Sequence, residues 1–409
     1  MRSGFITTLL SLLSAGVCAL PAAVQTPLRD APSNRTVSPR LYAELEEASR
    51  IVDIAYCVGM TGLGVNKPFQ CASRCQDFEN FELVTTWNTG PLLSDSCGYI
   101  ALSHPPSPPR ILVAFRGTYS VSNTIADLST IPQEYIPYPG DDNDDEPPPS
   151  SPDGPTPPKC NNCTVHSGFH TSWLHTRDAI LLDLSTAVEK YPEYQMTLIG
   201  HSLGGAVACL GALDMLARGW DPVVTTFGEP MVGNEALANY INTRFDLSSN
   251  ATAEDESMKF RRVTHAADPV PLLPPTEWGY SPHAGELFIS KPATPPEPSD
   301  IHFCSGNADP DCLTGEEASM SAASEIADLA KEIYADKQHA LKKWDDAKKK
   351  WFEVKDPTWF VPGRYKLWEL FFAHRDYFWR LGLCVPGGDG WKWITGQVGD
   401  DQVVEKVDL

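Results

Sequence analysis

The hexapeptide Gly200-His201-Ser202-Leu203-Gly204-Gly205 constrains this chain more than any other stretch. It follows a short apolar run, Met196-Thr197-Leu198-Ile199, and precedes a run of small residues with helical character, Ala206 to Leu213. Strand, Gly-x-Ser-x-Gly and helix is the setting in which this motif forms a nucleophile elbow. The turn is tight, and the flanking glycines leave room where a Cβ would clash. A serine held there exposes its hydroxyl at the positive end of the following helix. The plainer reading is a glycine-rich turn with a solvent serine, and the motif alone does not separate the two.

A chain of 409 residues is long enough for one large domain or two ordinary ones. Its formal net charge of −21 opposes binding to nucleic acid or to anionic membrane surfaces, both of which would repel it. Neutral lipid is not opposed, because it is bound through apolar area. The first residues read as a secretory signal over 1–19. Arg2 gives the positive end, Phe5 to Val17 the apolar run, and Ala19 or Ala23 the cleavage site. That run is shorter than the roughly 20 residues of a membrane span, and no later stretch is long and apolar enough, so no transmembrane segment is expected. The mature protein is expected to be extracellular.

Removing the signal takes Cys18 and leaves ten of the eleven cysteines. An even number in a secreted chain favours disulfides. Spacing suggests Cys71–Cys75, Cys160–Cys163 and Cys304–Cys312. Cys160 and Cys163 lack a second Cys-x-x-Cys, so they read as a bridge, and no metal site is expected. Asn34, Asn162 and Asn250 head glycosylation sequons.

A polar leader covers 20–39, and a single domain is expected over 40–409. Ser38-Pro39 opens a helix toward Tyr56 with Leu41, Leu45, Ala48, Val52 and Ala55 on one stripe. Strands are expected at 81–87, 98–102, 111–115, 196–199, 223–227 and 262–265, with an outer one at 286–289. Helices are expected at 167–191 and from the elbow to about Arg218. This alternation predicts an α/β fold with a mostly parallel sheet. Residues 139–159 are acidic and proline-rich and read as a surface loop. Residues 319–354 carry a helical pattern, a basic insertion. Val121, Ile125 and Leu128 lie at helical spacing on a short element.

A serine hydroxyl needs a base, a carboxylate that orients the base, and donors for the oxyanion. In an elbow fold these follow in the order Ser, acid, His. Asp268 lies just after a predicted strand, in His265-Ala266-Ala267-Asp268-Pro269-Val270-Pro271. Four later histidines, His283, His302, His339 and His374, can supply the base, and spacing does not choose among them.

Several blocks resemble the secreted fungal class 3 lipases. In chain order they are Ala55-Tyr56-Cys57, Phe115-Arg116-Gly117-Thr118, Asn123 to Leu128, and Cys160 to Phe169. Gly200 to Gly205, Phe227 to Asn234, Asp268-Pro269-Val270-Pro271, and His374 with Tyr377-Phe378 complete the set. The resemblance implies an α/β-hydrolase fold with helices on both faces of the sheet and a short helical lid. It assigns Ser202 as nucleophile, Asp268 as acid and His374 as base, with His283 non-catalytic. It places the oxyanion donors at the Thr118 and Leu203 backbone, where one donor is worth about 2.7–4 kcal/mol. It implies a Cys57–Cys384 bridge and leaves Cys97 and Cys209 over. Residues 119–131 become the lid, with Val121, Ile125 and Leu128 facing the pocket or lipid and worth about 1.5–3 kcal/mol each when buried. Thr124 stands where many members carry tryptophan, which implies weaker interfacial activation.

These observations predict a secreted serine carboxylester hydrolase that acts on acylglycerol esters at a lipid–water interface without a cofactor. The alternatives are an esterase for feruloyl or other soluble esters on the same fold, and a catalytically silent lipid- or partner-binding homologue.

Overall fold

A computed structural model describes residues 35–59, 64–90, 96–118, 132–138, 159–247, 257–266, 268–315 and 373–385. The signal sequence, Asn34, the 119–131 segment, nearly all of the acidic loop, Asn250, the 319–354 insertion and His339 lie outside the described residues. By backbone contacts the chain divides at residues 1–30 and 31–409, and all that follows concerns the second unit.

Ser38 caps helix α1 (Pro39–Ala55), its hydroxyl accepting the Leu41 N–H at 3.1 Å, and Pro39 sits where no N–H is needed. All five stripe residues expected from the sequence are buried. There follow β1 (Phe81–Asn88), β2 (Cys97–Ser103), β3 (Arg110–Arg116), β4 (Pro132–Glu134) and β5 (Thr164–His166). Helix α2 (Ser167–Lys190) leads to β6 (Gln195–His201), α3 (Leu203–Ala217), β7 (Val223–Phe227), β8 (Gly233–Asn234) and α4 (Glu235–Arg244). The last strands are β9 (Phe260–His265), β10 (Tyr280–Ser281), β11 (Glu286–Ile289) and β12 (Ile301–Phe303).

The main sheet runs in the order β1-β2-β3-β6-β7-β9-β11-β12. Its middle five strands, β3 to β11, are parallel. β1 and β2 on one side, and β12 on the other, add on antiparallel. The parallel centre explains the continuous apolar run Ile111–Phe115, buried throughout because both faces are covered. The Glu286–Ile289 strand, expected on the outside, is instead covered by β12. That three-residue strand is too short to stand out in the sequence. A second sheet, β10-β8-β5-β4, is built from strands of two or three residues and was not anticipated.

Strand alternation puts α1 and α3 on opposite faces. His201 turns toward α1, where its ring meets Tyr56 beside the helix's C-terminus. Gly200 turns the other way: a Cβ there would lie 2.3 Å from the Gly204 carbonyl oxygen in α3. This crossing needs glycine and brings the helix N-terminus to the end of β6.

Four disulfides join Cys57 to Cys384, Cys71 to Cys75, Cys160 to Cys163 and Cys304 to Cys312. Cys97 and Cys209 are buried and are not disulfide-bonded. Asn162 is exposed, at φ 58° in the Cys160–Cys163 turn.

Candidate active site

Ser202 stands between β6 and α3 with φ 59° and ψ −131°. A non-glycine residue adopts this conformation only when its surroundings impose it, and such strain is concentrated at functional sites. Here the imposing contacts are visible. The Ser202 N–H donates to the Phe227 carbonyl at 2.9 Å, and the Ser202 carbonyl accepts the Gly205 N–H at 2.8 Å. Leu203 opens α3, where the first backbone N–H groups have no partner within the helix.

The loop after β3 runs against this turn. A Cβ on Gly117 would lie 2.7 Å from the Ser202 Cβ. Thr118, half-buried, is the next residue. Gly117, the neighbour of Thr118, thus packs directly against Ser202.

Asp268 follows β9 and is almost fully buried. Its Oδ1 accepts the Val270 N–H at 2.9 Å, and its Oδ2 accepts the Tyr377 hydroxyl at 2.5 Å. Both oxygens lie 2.9 Å from His374 Nδ1. Both oxygens already accept from other donors, so Nδ1 carries hydrogen, and in the neutral ring Nε2 is the nitrogen with the lone pair. That Nε2 and the Ser202 Oγ are both buried, and neither has a hydrogen-bond partner among the described residues. Two chemically complementary buried atoms are thus left unsatisfied among the described residues.

Several links bring these residues together. The His201 and His374 rings stack with centroids 4.7 Å apart. His201 Nε2 donates to the His374 carbonyl at 2.9 Å, so its Nδ1 must accept, and it does so from the Tyr56 hydroxyl at 2.5 Å. The same Tyr56 oxygen accepts the Gly117 N–H at 3.1 Å. One hydrogen-bonded chain therefore runs from the Gly117 loop through α1 and the elbow to His374. Burial, the largest cause, pushes His201 well below its ordinary range, so it stays neutral. Burial, with the Asp268 charge second, pushes the Tyr377 hydroxyl well above its ordinary range, so it stays a donor. Gly228, at φ 59°, leaves the space between these groups: a Cβ there would lie 2.8 Å from Asp268 Oδ2, His374 Cε1 and the Tyr377 oxygen alike.

Segment 373–385 is pinned to α1 by Cys57–Cys384 and by Asp53. Asp53 accepts the Gly382 N–H at 2.6 Å and the Ser73 hydroxyl at 2.9 Å. The other two described candidates for the base lie elsewhere. His302, in β12, faces the Asp311 carbonyl through Nε2 at 3.3 Å. His283 faces Glu229. Only His374 meets Asp268 among the described histidines the sequence left open. Tyr56, His201 and Tyr377 were not singled out for a role. Their sole sequence signal was a place inside the blocks quoted above.

Comparison with known proteins agrees with this geometry. A family model described as lipase (class 3) matches residues 112–278. Lipase A of Sodiomyces alcalophilus is 49% identical over 424 aligned positions, covering 100% of this chain and 97% of that protein. The chain belongs to the class 3 lipase family. It is a carboxylic ester hydrolase of the lipase type. Secreted mono- and diacylglycerol lipase 2 of Gibberella zeae is also 49% identical, covering 91% of this chain and 89% of that protein. Among solved structures, Lip2 lipase of Yarrowia lipolytica superposes with a TM-score of 0.59 at 31% identity, covering 70% of this lipase and 93% of that chain. The α/β-hydrolase fold expected from the sequence is the fold of these lipases.

Proposed function

We propose that this protein is a secreted lipase that hydrolyses mono- and diacylglycerol esters with Ser202 as nucleophile, His374 as base and Asp268 as orienting acid. The observation that carries the mechanism is the pair of buried, unsatisfied atoms, Ser202 Oγ and His374 Nε2, with the opposite imidazole nitrogen held by Asp268. In this reading, Ser202 attacks the ester carbonyl as His374 Nε2 takes its proton. The oxyanion forms against the Thr118 and Leu203 N–H groups. His374 then protonates the leaving alcohol. Water, activated by the same nitrogen, releases the fatty acid. Asp268 keeps the imidazole in the required tautomer, and Tyr377 and the Val270 N–H hold Asp268.

The substrate class rests on the Gibberella zeae relative, whose name specifies secretion and mono- and diacylglycerols. Action at a lipid–water interface, with residues 119–131 as lid and Val121, Ile125 and Leu128 on its apolar stripe, belongs to the same proposal. A substrate panel tests it: emulsified diacylglycerol, monoacylglycerol, triacylglycerol, phospholipid and a feruloyl ester, each against Ser202→Ala. Fastest turnover is expected on the partial glycerides. Preference for dissolved feruloyl or short-chain esters, with no rate increase above the solubility limit, would replace the lipase reading with a soluble-ester esterase.

A further inference from the structure

Beside the proposed base stands a buried arginine that the mechanism above does not use. Arg375 follows His374 directly, and both are almost fully buried. Burying a guanidinium is costly unless its N–H groups and its charge are both met. Arg375 Nη1 donates to the Leu381 carbonyl at 3.2 Å and to the Gly382 carbonyl at 2.8 Å. The Arg375 carbonyl accepts the Leu381 N–H at 2.9 Å. The arginine thus closes the 375–382 turn from inside. Asp376 and Arg380 close it from outside, through two hydrogen bonds of 2.8 Å between part-buried side chains.

The opposite charge stands on α1, and Gly382 lies between the two. Its N–H donates to Asp53 Oδ1 at 2.6 Å while its carbonyl accepts from Arg375. One peptide dipole is therefore held between a buried carboxylate and a buried guanidinium, positive end to the anion and negative end to the cation. Asp53 Oδ2 accepts the Ser73 hydroxyl at 2.9 Å and lies 3.8 Å from Arg74 Nε. Burial pushes the Asp53 carboxyl up, and the Gly382 N–H, Ser73, Arg74 and Arg375 all act against that rise. The fit is close: a Cβ on Gly382 would lie 2.5 Å from Arg375 Nη1 and 3.0 Å from two ring carbons of Tyr56.

The same guanidinium covers the Tyr56 ring, its carbon 5.3 Å from the ring centroid, a cation–π distance. Tyr56 is the residue whose hydroxyl donates to His201 and accepts the Gly117 N–H. Arg375 therefore acts in two directions, on the backbone that carries His374 and on the ring that carries the Gly117 loop. We propose that Arg375, paired with Asp53 across the Gly382 peptide, is a positioning residue for ester hydrolysis, setting His374 and the oxyanion loop in register without touching substrate. The proposal rests on His374 being the base. A misplacement of reacting groups by about 1 Å costs on the order of 10²-fold in rate, so a residue that only fixes the base's backbone has a large effect to exert.

The test measures hydrolysis of p-nitrophenyl butyrate below its solubility limit, and the rate at which a serine-directed phosphonate labels Ser202, both per folded molecule. Arg375→Met keeps an unbranched apolar chain and removes the charge and the donors. It is expected to lower kcat about tenfold or more, with KM within about twofold. The labelling rate should fall by the same factor as kcat. Arg375→Lys, which restores a cation with donors, should recover most of that loss. Arg380→Met, on the outside of the same turn, should keep kcat within about twofold. Should Arg375→Met fail to fold, Asp53→Asn should lower kcat and the labelling rate together, about threefold or more, at unchanged KM. Native kcat and a native labelling rate in folded Arg375→Met, or in folded Asp53→Asn, would overturn the proposal and leave the arginine a purely structural role. So would an equal loss in Arg380→Met, or an Arg375→Lys protein as slow as Arg375→Met. His374→Ala, measured alongside, reports on the triad alone, so the triad reading can stand where the Arg375 proposal falls.

Discussion

Histidine chemistry at the residue scale decides how this protein works. His374 and His283 are both buried and both face a carboxylate. They differ in the other nitrogen. His374 Nε2 is unsatisfied beside the elbow, whereas His283 spends Nδ1 on the Ala284 carbonyl and Nε2 on Glu229. His374→Ala is therefore expected to lower kcat by about 10³-fold or more, as loss of a triad member does, with the smaller loss of stability of the two, because Asp268 keeps the Tyr377 hydroxyl and the Val270 N–H. His283→Ala should do the reverse. Its folded fraction keeps kcat within a few-fold, but the uncompensated Glu229 costs about 3–5 kcal/mol of stability. Initial rates per folded molecule, with unfolding curves for both variants, check the pair. The reverse pattern would reassign the base. Asp268 stood out in the sequence as the proposed acid because the acid of an elbow fold follows a later strand. The proposed base did not stand out from spacing alone, since four histidines followed Asp268 and only three-dimensional contact, or resemblance to the family, separated them.

At the scale of elements, the site is assembled by three tethers of very different sequence range. The elbow is local: β6, Ser202 and α3 are contiguous, and their strain is fixed by the Phe227 carbonyl. The Asp268 loop follows directly from β9. Segment 373–385 has no such local frame and depends on α1, through Cys57–Cys384 across a separation of 327 residues and through Asp53 to Gly382. Replacing both cysteines, Cys57→Ser with Cys384→Ser, should cost about 2–5 kcal/mol and lower activity together with stability, because His374 lies on the released segment. Thermal unfolding and kcat measured on the double variant check this. Native activity and an unchanged melting temperature would show that Asp53 and the packing of Tyr377 hold the segment unaided. This difference in range also explains what could be read from the sequence. Strands of five or more apolar and β-branched residues, such as Ile111–Phe115 and Val223–Phe227, announced themselves. The two- and three-residue strands β4, β5, β8, β10 and β12 carry no period to detect. Helix α4 was missed because it is short and its buried residues, Leu237, Ala238, Tyr240 and Ile241, sit among polar ones.

At the scale of the whole molecule, burial of histidines sets the response to pH. Burial is the leading cause that pushes His201, His265 and His302 below their ordinary range. A histidine depressed in the folded state contributes stability above its unfolded pKa, about 6.5, and loses that contribution as pH falls. The unfolded chain then binds protons that the folded chain refuses. Each such group adds a slope of up to about 1.4 kcal/mol per pH unit below that point. Melting temperature is expected to fall from about pH 7 to about pH 5, and His302→Gln, remote from the site, should flatten the fall. A melting temperature that rises or stays level across that range would contradict the account.

All these expectations rest on Ser202 being the group that attacks. The most direct measurement is stoichiometric labelling by a serine-directed phosphonate, followed by peptide mapping, in parallel with fatty-acid release from emulsified diacylglycerol. The account predicts one label per chain, located on Ser202. It also predicts that Ser202→Ala takes no label and releases fatty acid at least about 10³-fold more slowly, with an unchanged unfolding curve. A label on another residue, or hydrolysis retained by a folded Ser202→Ala protein, would contradict it.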